Sequence, residues 1–237
     1  MGAKKRVQKK SFIKKEVEEI VPLGKKVLNY FSNNLKQCLA FLSIFLIISL
    51  AVYLWNIYSS GQEKRARVMF TLAFKSYALS VEKGNPVDYQ MSAVKFNDLV
   101  SKYPRTTIAG KSLFYLGNCY FWMKDFNNAE RYYRLFLDKS SKKDTVLRKF
   151  AYEGLGYASE QGGKYEQALD YFKKVSTEDG STNNPDDSAL INLARVYEEL
   201  NQNDKAVEIY QKVLKDYPQS QNVAIARDKI FELKIRH

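Results

Sequence analysis

Hydrophobic residues follow two different patterns along the chain. From Cys38 to Trp55 they are nearly continuous: these 18 residues hold no charge, no Pro and no Gly, and no charged residue occurs between Gln37 and Gln62. A helix rising about 1.5 Å per residue over that length crosses a hydrocarbon core of roughly 30 Å, so the pattern predicts a transmembrane helix over 36–58. After the run the apolar positions become periodic. Ala66, Met69, Phe70, Ala73, Phe74, Tyr77, Ala78 and Val81 recur at steps of three and four until Gly84-Asn85-Pro86 ends the helix they predict. A second helix runs from about Asp88 to Lys102, with Ala93, Phe96, Leu99 and Val100 on one face, and stops at Tyr103-Pro104. The same spacing predicts helices over about 106–123, 126–138, 146–161, 165–175, 187–200, 203–216 and 220–235. No segment alternates with the period of a strand. The expected fold class is all-α, an N-terminal transmembrane helix followed by stacked helical hairpins.

The hairpins can be laid over one another. Leu113, Leu116, Gly117, Tyr120, Ala129, Tyr133 and Phe136 align with Tyr152, Leu155, Gly156, Ser159, Ala168, Phe172 and Val175, and again with Leu190, Leu193, Ala194, Tyr197, Ala206, Tyr210 and Val213. Pro218 follows the last set, and an earlier degenerate copy ends in Phe96, Leu99 and Pro104, with Ser92 where Ala is expected. This pattern resembles the tetratricopeptide repeat: large at position 4, Leu-Gly at 7 and 8, aromatic at 11, Ala at 20, aromatic at 24, Pro at 32. The resemblance implies an α-solenoid in which small residues at positions 8 and 20 let the two helices of a hairpin approach, while aromatic residues fill the gap to the next hairpin. The aligned alanines lie 39 and 38 residues apart, against about 34 in the family. Longer links are therefore expected at Lys139–Lys143 and Ser176–Asp186.

Charge orients the span. Residues 1–36 hold ten Lys/Arg against Glu16, Glu18 and Glu19, whereas only Lys64, Arg65 and Arg67 follow the apolar run closely. Lys and Arg mark the cytoplasmic side, which puts a basic tail, 1–35, in the cytoplasm and residues 59–237 in the periplasm of a Gram-negative bacterium, the chain being single-pass in the inner membrane. Tyr53, Trp55 and Tyr58 gather at the far end, where amphipathic rings favour the interface. A cleaved signal peptide would have a shorter apolar region nearer the N-terminus, although Ser59-Ser60-Gly61 would tolerate cleavage. A lipoprotein anchor is disfavoured because Cys38 precedes the run. The basic excess fits attraction to anionic lipid and makes nucleic acid an unneeded partner. Residues 1–15 read as disordered, and 15–34 as an amphipathic segment broken at Pro22-Leu-Gly24. Cys38 in the span and Cys119 beyond it predict no disulfide.

Catalytic chemistry finds little support. The one His is His237, which excludes His-based triads and multi-histidine metal sites. Glu198-Glu199 and Asp186-Asp187 read as solvated charge or helix caps, and Gly162-Gly163 falls at the turn within a hairpin. No enzyme activity, cofactor, metal or small-molecule substrate is expected.

Two further resemblances sharpen the reading. Phe96-Asn-Asp-Leu99-Val-Ser-Lys-Tyr103-Pro104-x-x-Thr107, followed by a Leu-Gly-x-x-Tyr helix, and Tyr217-Pro218-x-Ser220 resemble the repeats of bacterial envelope proteins, including the outer-membrane assembly and cell-division coordinator families. The Lys-rich tail, the span ending Trp55-x-x-Tyr58 and the helix with Ala66, Ala73 and Tyr77 are similar to the ancillary subunit of the Sec translocon, a single-span protein with a periplasmic repeat domain. That likeness implies a membrane-anchored, chaperone- or adaptor-like module for translocon-associated or secreted proteins. A scaffold within an envelope machine, such as a flagellar motor or secretion apparatus, is the alternative. In such arrays positions 2, 5, 9, 12 and 13 of each first helix line a concave groove: Lys111, Phe114, Asn118, Phe121 and Trp122; Phe150, Glu153, Tyr157, Glu160 and Gln161; Ser188, Ile191, Arg195, Glu198 and Glu199. Lys111, Phe114, Asn118, Phe121, Trp122, Tyr157 and Arg195 are the expected partner-binding residues, suited to an extended or helical peptide. Phe121 and Trp122 have a second reading, packing against the degenerate first repeat. Of a carboxylate clamp only Asn118 is present.

Overall fold

The computed structural model describes residues 25–26, 29–30, 32–177 and 187–235. The basic tail up to residue 24, with its break at Pro22-Leu-Gly24, residues 178–186 of the second long link, and His237 lie outside the described residues. Contacts divide the chain into two units, Met1–Ser59 and Ser60–His237. One helix, α1, runs through the division from Leu35 to Lys83. In the first unit its large apolar side chains, Phe41, Phe45, Ile47 and Tyr53 among them, are all exposed. By length and composition this helix is able to cross a membrane. The apolar periodicity places a new helix near Ala66, yet α1 does not pause between the two patterns. A single Gly61 costs only about 1 kcal/mol in a helix, and Gln62, Glu63, Lys64, Arg65 and Ala66 behind it are good helix formers.

The second unit is a row of antiparallel hairpins. The part of α1 after Ser60 pairs with α2 (Pro86–Lys102), α3 (Thr107–Trp122) with α4 (Phe126–Lys139), α5 (Thr145–Gln161) with α6 (Tyr165–Thr177), and α7 (Asp187–Glu199) with α8 (Asn203–Asp216). A further helix, α9 (Asn222–Ile235), follows. Starts are set locally: the side chains of Asn85, Thr106 and Asp125 accept from Val87, Ala109 and Asn128 N–H groups, and Pro86 opens α2. Each hairpin turns through one left-handed residue at the same place, Gly84 (φ 66), Lys124 (φ 60), Gly163 (φ 72) and Asn201 (φ 56).

The repeat pattern becomes packing in a specific way. The ring at position 24 lies directly on the small residue at position 8: a methyl group built on Gly117 would stand 2.5 Å from Tyr133 ring carbons, and one on Gly156 would stand 2.5 Å from Phe172. Tyr133 is held from both sides, since Gly154 of the next hairpin meets it equally closely. In the first hairpin two serines occupy these small positions. Ser80 and Ser92 are fully buried with their hydroxyls 3.0 Å apart, each also within reach of its own helix carbonyl, at Ser76 and Asp88. Phe96, Phe136, Phe172 and Tyr210 are fully buried, one in each hairpin. Cys119 is buried in the same core cluster as Phe96 and Phe136, and burial pushes its thiol up to about 12.

Candidate protein-binding face

Side chains from the expected groove positions tie first helices together in two places, the later part of α1 to α3 and α5 to α7. Asn118 Nδ2 donates to the Tyr77 hydroxyl at 3.3 Å, and Asn118 Oδ1 accepts from Tyr133 at 2.8 Å. Between α5 and α7, Asn192 Nδ2 donates to the Tyr157 hydroxyl at 2.9 Å, and that hydroxyl lies 3.1 Å from Asn192 Oδ1. Arg195 donates to Glu160 and, at 3.2 Å, to Asn192 Oδ1, with its guanidinium 5.6 Å from the centre of the Tyr157 ring. Glu198 continues the series by accepting from Tyr210 at 2.6 Å and from Lys229 of α9 at 3.0 Å.

These ties shift the groups that make them. Burial pushes the Tyr77 hydroxyl up to about 12 against the opposing bond to Asn118, and raises Tyr157 for the same reason. Burial also holds the Glu160 carboxyl above its usual range although Arg195 pulls it down. The bond to Glu198 raises Lys229. Asp187, at the start of α7, is lowered first by the Ser220 hydroxyl and then by Asn222. Glu198 and Asp187 are thus joints between helices, whereas the sequence alone allows solvated charge or capping; Asp186 lies outside the described residues.

The seven expected residues separate by exposure. Phe114 is only 7% exposed and packs against Tyr133 and Phe136 with ring centres 6.0 and 5.7 Å away. The ring expected in an open groove is buried in the core, because α4 supplies it with two aromatic neighbours. Asn118, Tyr157 and Arg195 face the neighbouring first helices and are engaged as described. Phe121 is half-buried, edge-on to Phe126 at 5.7 Å. Trp122 is 53% exposed and stacks on Tyr89 of the first hairpin at 6.1 Å and 17°. Lys111 is half-buried and lines a cavity at the start of α3. Among the groove positions the open aromatic rings are therefore Trp122 and Phe150, the latter 50% exposed.

Sequence reasoning missed Tyr115, whose ring lies 5.3–5.5 Å from Phe70, Phe74, Tyr77, Phe96 and Phe114 and joins the first two hairpins. Nothing in the repeat pattern marks that position. Asn192 was also missed, although its spacing of 35 from Tyr157 recurs for Arg195 and Glu160. Among the described residues no group of three His, Cys, Asp or Glu could hold a metal ion.

Tetratricopeptide repeat models match residues 111–142 and 161–230. No curated protein matches the chain. Among solved structures, a putative kinesin light chain from Podosopora anserina with nearly identical tetratricopeptide-like repeats aligns with a TM-score of 0.56 at 15% identity, covering 72% of this chain and 86% of that one. A substituted variant of that same protein aligns with a TM-score of 0.57 at 15% identity, covering 72% of this chain and 85% of its own. MamA aligns at 0.49 and 20% identity over 66% of this chain and 89% of its own. The chain thus carries tetratricopeptide repeats within a tetratricopeptide-like solenoid, a fold that serves protein–protein interaction and is generally non-catalytic.

Proposed function

We propose that this chain is a non-enzymatic, membrane-anchored interaction module of the bacterial envelope. Its exposed apolar helix crosses the inner membrane and its repeats lie in the periplasm, where they bind translocon-associated or secreted proteins. The observation that carries the reading is the pairing of two features in one chain. A repeat array presents the open aromatic side chains Trp122 and Phe150, and a helix of membrane-spanning length leaves its apolar surface bare. Anchoring raises the effective concentration of the repeats towards membrane partners without any added contact. Ten cationic residues before the span against three just after it support the orientation.

Photo-crosslinking in cells tests this, with a photoreactive residue at position 122 or 150 and mass spectrometry of the adducts. Translocon subunits together with many secreted chains are the expected products. One stoichiometric partner from a motor or secretion complex would replace the adaptor reading with that of a scaffold. A reporter fused after His237 that is active only in the cytoplasm would overturn the orientation.

A further inference from the structure

At the edge of the array, the turn before α3 and the link between α4 and α5 enclose a cavity of about 470 Å³. Arg105 lines it from the turn, Lys111 from the start of α3, and Lys139 from the end of α4. None of the three has an ion-pair or hydrogen-bond partner among the described residues. The only carboxylate in the lining is Asp144, at the start of α5. Phe136, itself fully buried, also belongs to the lining. Ser141 Oγ accepts from Lys143 N at 3.2 Å, which leaves its hydrogen to donate.

The terminus of α3 is not the source of attraction. Glu63 Oε2 takes the Thr107 N–H at 3.0 Å, and the Thr106 hydroxyl takes that of Ala109 at 3.1 Å. What remains is three cations without an ion pair, against Asp144 in the lining and Glu63 bound at its rim through Thr107. Ser140, Ser141 and Asp144 line the cavity from the residues that lengthen this repeat to 39. Lys142 and Lys143 sit exposed on the same link and add to the positive field.

We propose that this cavity binds an acidic segment of a protein partner, with Arg105, Lys111 and Lys139 each receiving a side-chain carboxylate. Cations drawn from three different places, the turn, the start of α3 and the end of α4, suit successive carboxylates on an extended peptide better than one compact anion. Lys111 and Trp122 share one face of α3, about three helical turns apart, so a chain lying along that face ends in the cavity. The inference rests on the reading of the chain as a protein-binding module and names the chemistry of its partner. Arg105 supplies a planar fork for bidentate contact, whereas the lysines act as point charges that also speed encounter.

The test uses the full chain in detergent and a fluorescein-labelled peptide of alternating Glu and Ala, followed by anisotropy at low salt. Replacing all three cations, Arg105→Gln with Lys111→Gln and Lys139→Gln, is expected to weaken binding about tenfold or more. Arg105→Gln alone, at an exposed position, is expected to weaken it severalfold. Neutralising Lys173, Lys212 and Lys215, exposed elsewhere, is expected to change it less than about twofold. Equal losses in the two triple variants would reduce the effect to bulk charge and overturn the proposal, as would unchanged binding in the cavity variant. Equal binding of an acidic peptide and an oligonucleotide of matching charge would overturn the assignment to protein. Crosslinking from position 122 reads the parent proposal separately: adducts there with no cavity effect sink only the cavity, whereas no protein adducts in cells would sink the module and the cavity's partner with it, even if the peptide binds.

Discussion

Arg195 donates to one oxygen of Glu160 across thirty-five positions of chain, joining α7 to α5, while the second oxygen of that carboxylate is buried with no hydrogen-bond partner among the described residues. Burial raises the Glu160 pKa, Arg195 lowers it, Glu199 raises it, and the net direction is up from 4.5. A carboxyl with a raised folded pKa binds more protons folded than unfolded. Its stabilising contribution is therefore complete below about 4.5 and is lost as pH rises through the folded value. Glu160→Gln keeps the shape and removes the desolvated charge. The wild-type thermal midpoint should fall relative to that of Glu160→Gln as pH rises from about 4 to 7, which scans in detergent would measure. Parallel curves would mean that Arg195 already compensates the charge in full.

Tyr133 makes a second test of packing, because Gly117 and Gly154 press on it from two hairpins. Gly to Ala in a helix gains about 1 kcal/mol of propensity, but a methyl 2.5 Å from ring carbons forces the ring or a helix to move. Overpacking wins at such a contact. Gly117→Ala and Gly154→Ala should each destabilise the repeat unit by about 1–3 kcal/mol in urea titrations. Stabilisation by either would show that Tyr133 has room to shift.

How far these features were legible differs by residue. Gly117, Ala129 and Tyr133 stand in the repeat register, so their packing could be read from spacing alone. Gly154 could not, because it meets Tyr133 across a hairpin boundary that the within-repeat register does not describe. Ser92 was visible as a departure from Ala, but the compensation by Ser80 was not, since α1 runs straight through the place where the first repeat begins. The groove was the least legible part. Position 5 is open or closed according to what the second helix places behind it, and at Phe114 that is Tyr133 and Phe136. Tyr157 and Glu160, at positions 9 and 12, looked free because their partners Asn192 and Arg195 lie 35 residues away, on the next first helix.

The hairpin turns give a local prediction. Gly84, Gly163 and Asn201 are residue types that tolerate the left-handed region, whereas Lys124 occupies it at φ 60 with a full side chain. Lys124→Gly relieves that strain but adds backbone freedom to the unfolded chain, so the gain should be about 0.5–1 kcal/mol. A thermal midpoint raised by a degree or more would be the expected reading. A lowered midpoint would show that the Lys side chain supplies a contact outweighing the strain.

Cys119 should report on global opening. Its side chain is fully buried and its pKa is pushed up to about 12, so almost no thiolate is present at neutral pH and reagents cannot reach it. In a Cys38→Ser variant, where Cys119 is the one thiol, maleimide should label the chain only as denaturant unfolds it. Labelling within minutes under native conditions would place frequent openings between α3 and α4.

Trp122 and Phe114 separate surface from core within one helix, and that contrast tests the proposed partner-binding face. Phe114→Ala empties a site 7% exposed between Tyr133 and Phe136, and should cost about 3–5 kcal/mol. Any loss of partner capture in that variant is therefore confounded with unfolding. Trp122→Ala removes a half-exposed ring that stacks on Tyr89 and meets Phe121 edge-on, which should cost about 1 kcal/mol. Trp122→Ala with Phe150→Ala is then the discriminating pair: helicity and midpoint nearly kept, capture reduced about tenfold or more in pull-downs from membranes. Tyr157→Phe serves as the control, since it deletes only the hydroxyl bonded to Asn192 and should cost about 1 kcal/mol without touching the open rings. If capture survives in the double variant and falls in Tyr157→Phe, partners read the joints between first helices and not the aromatic surface beside them.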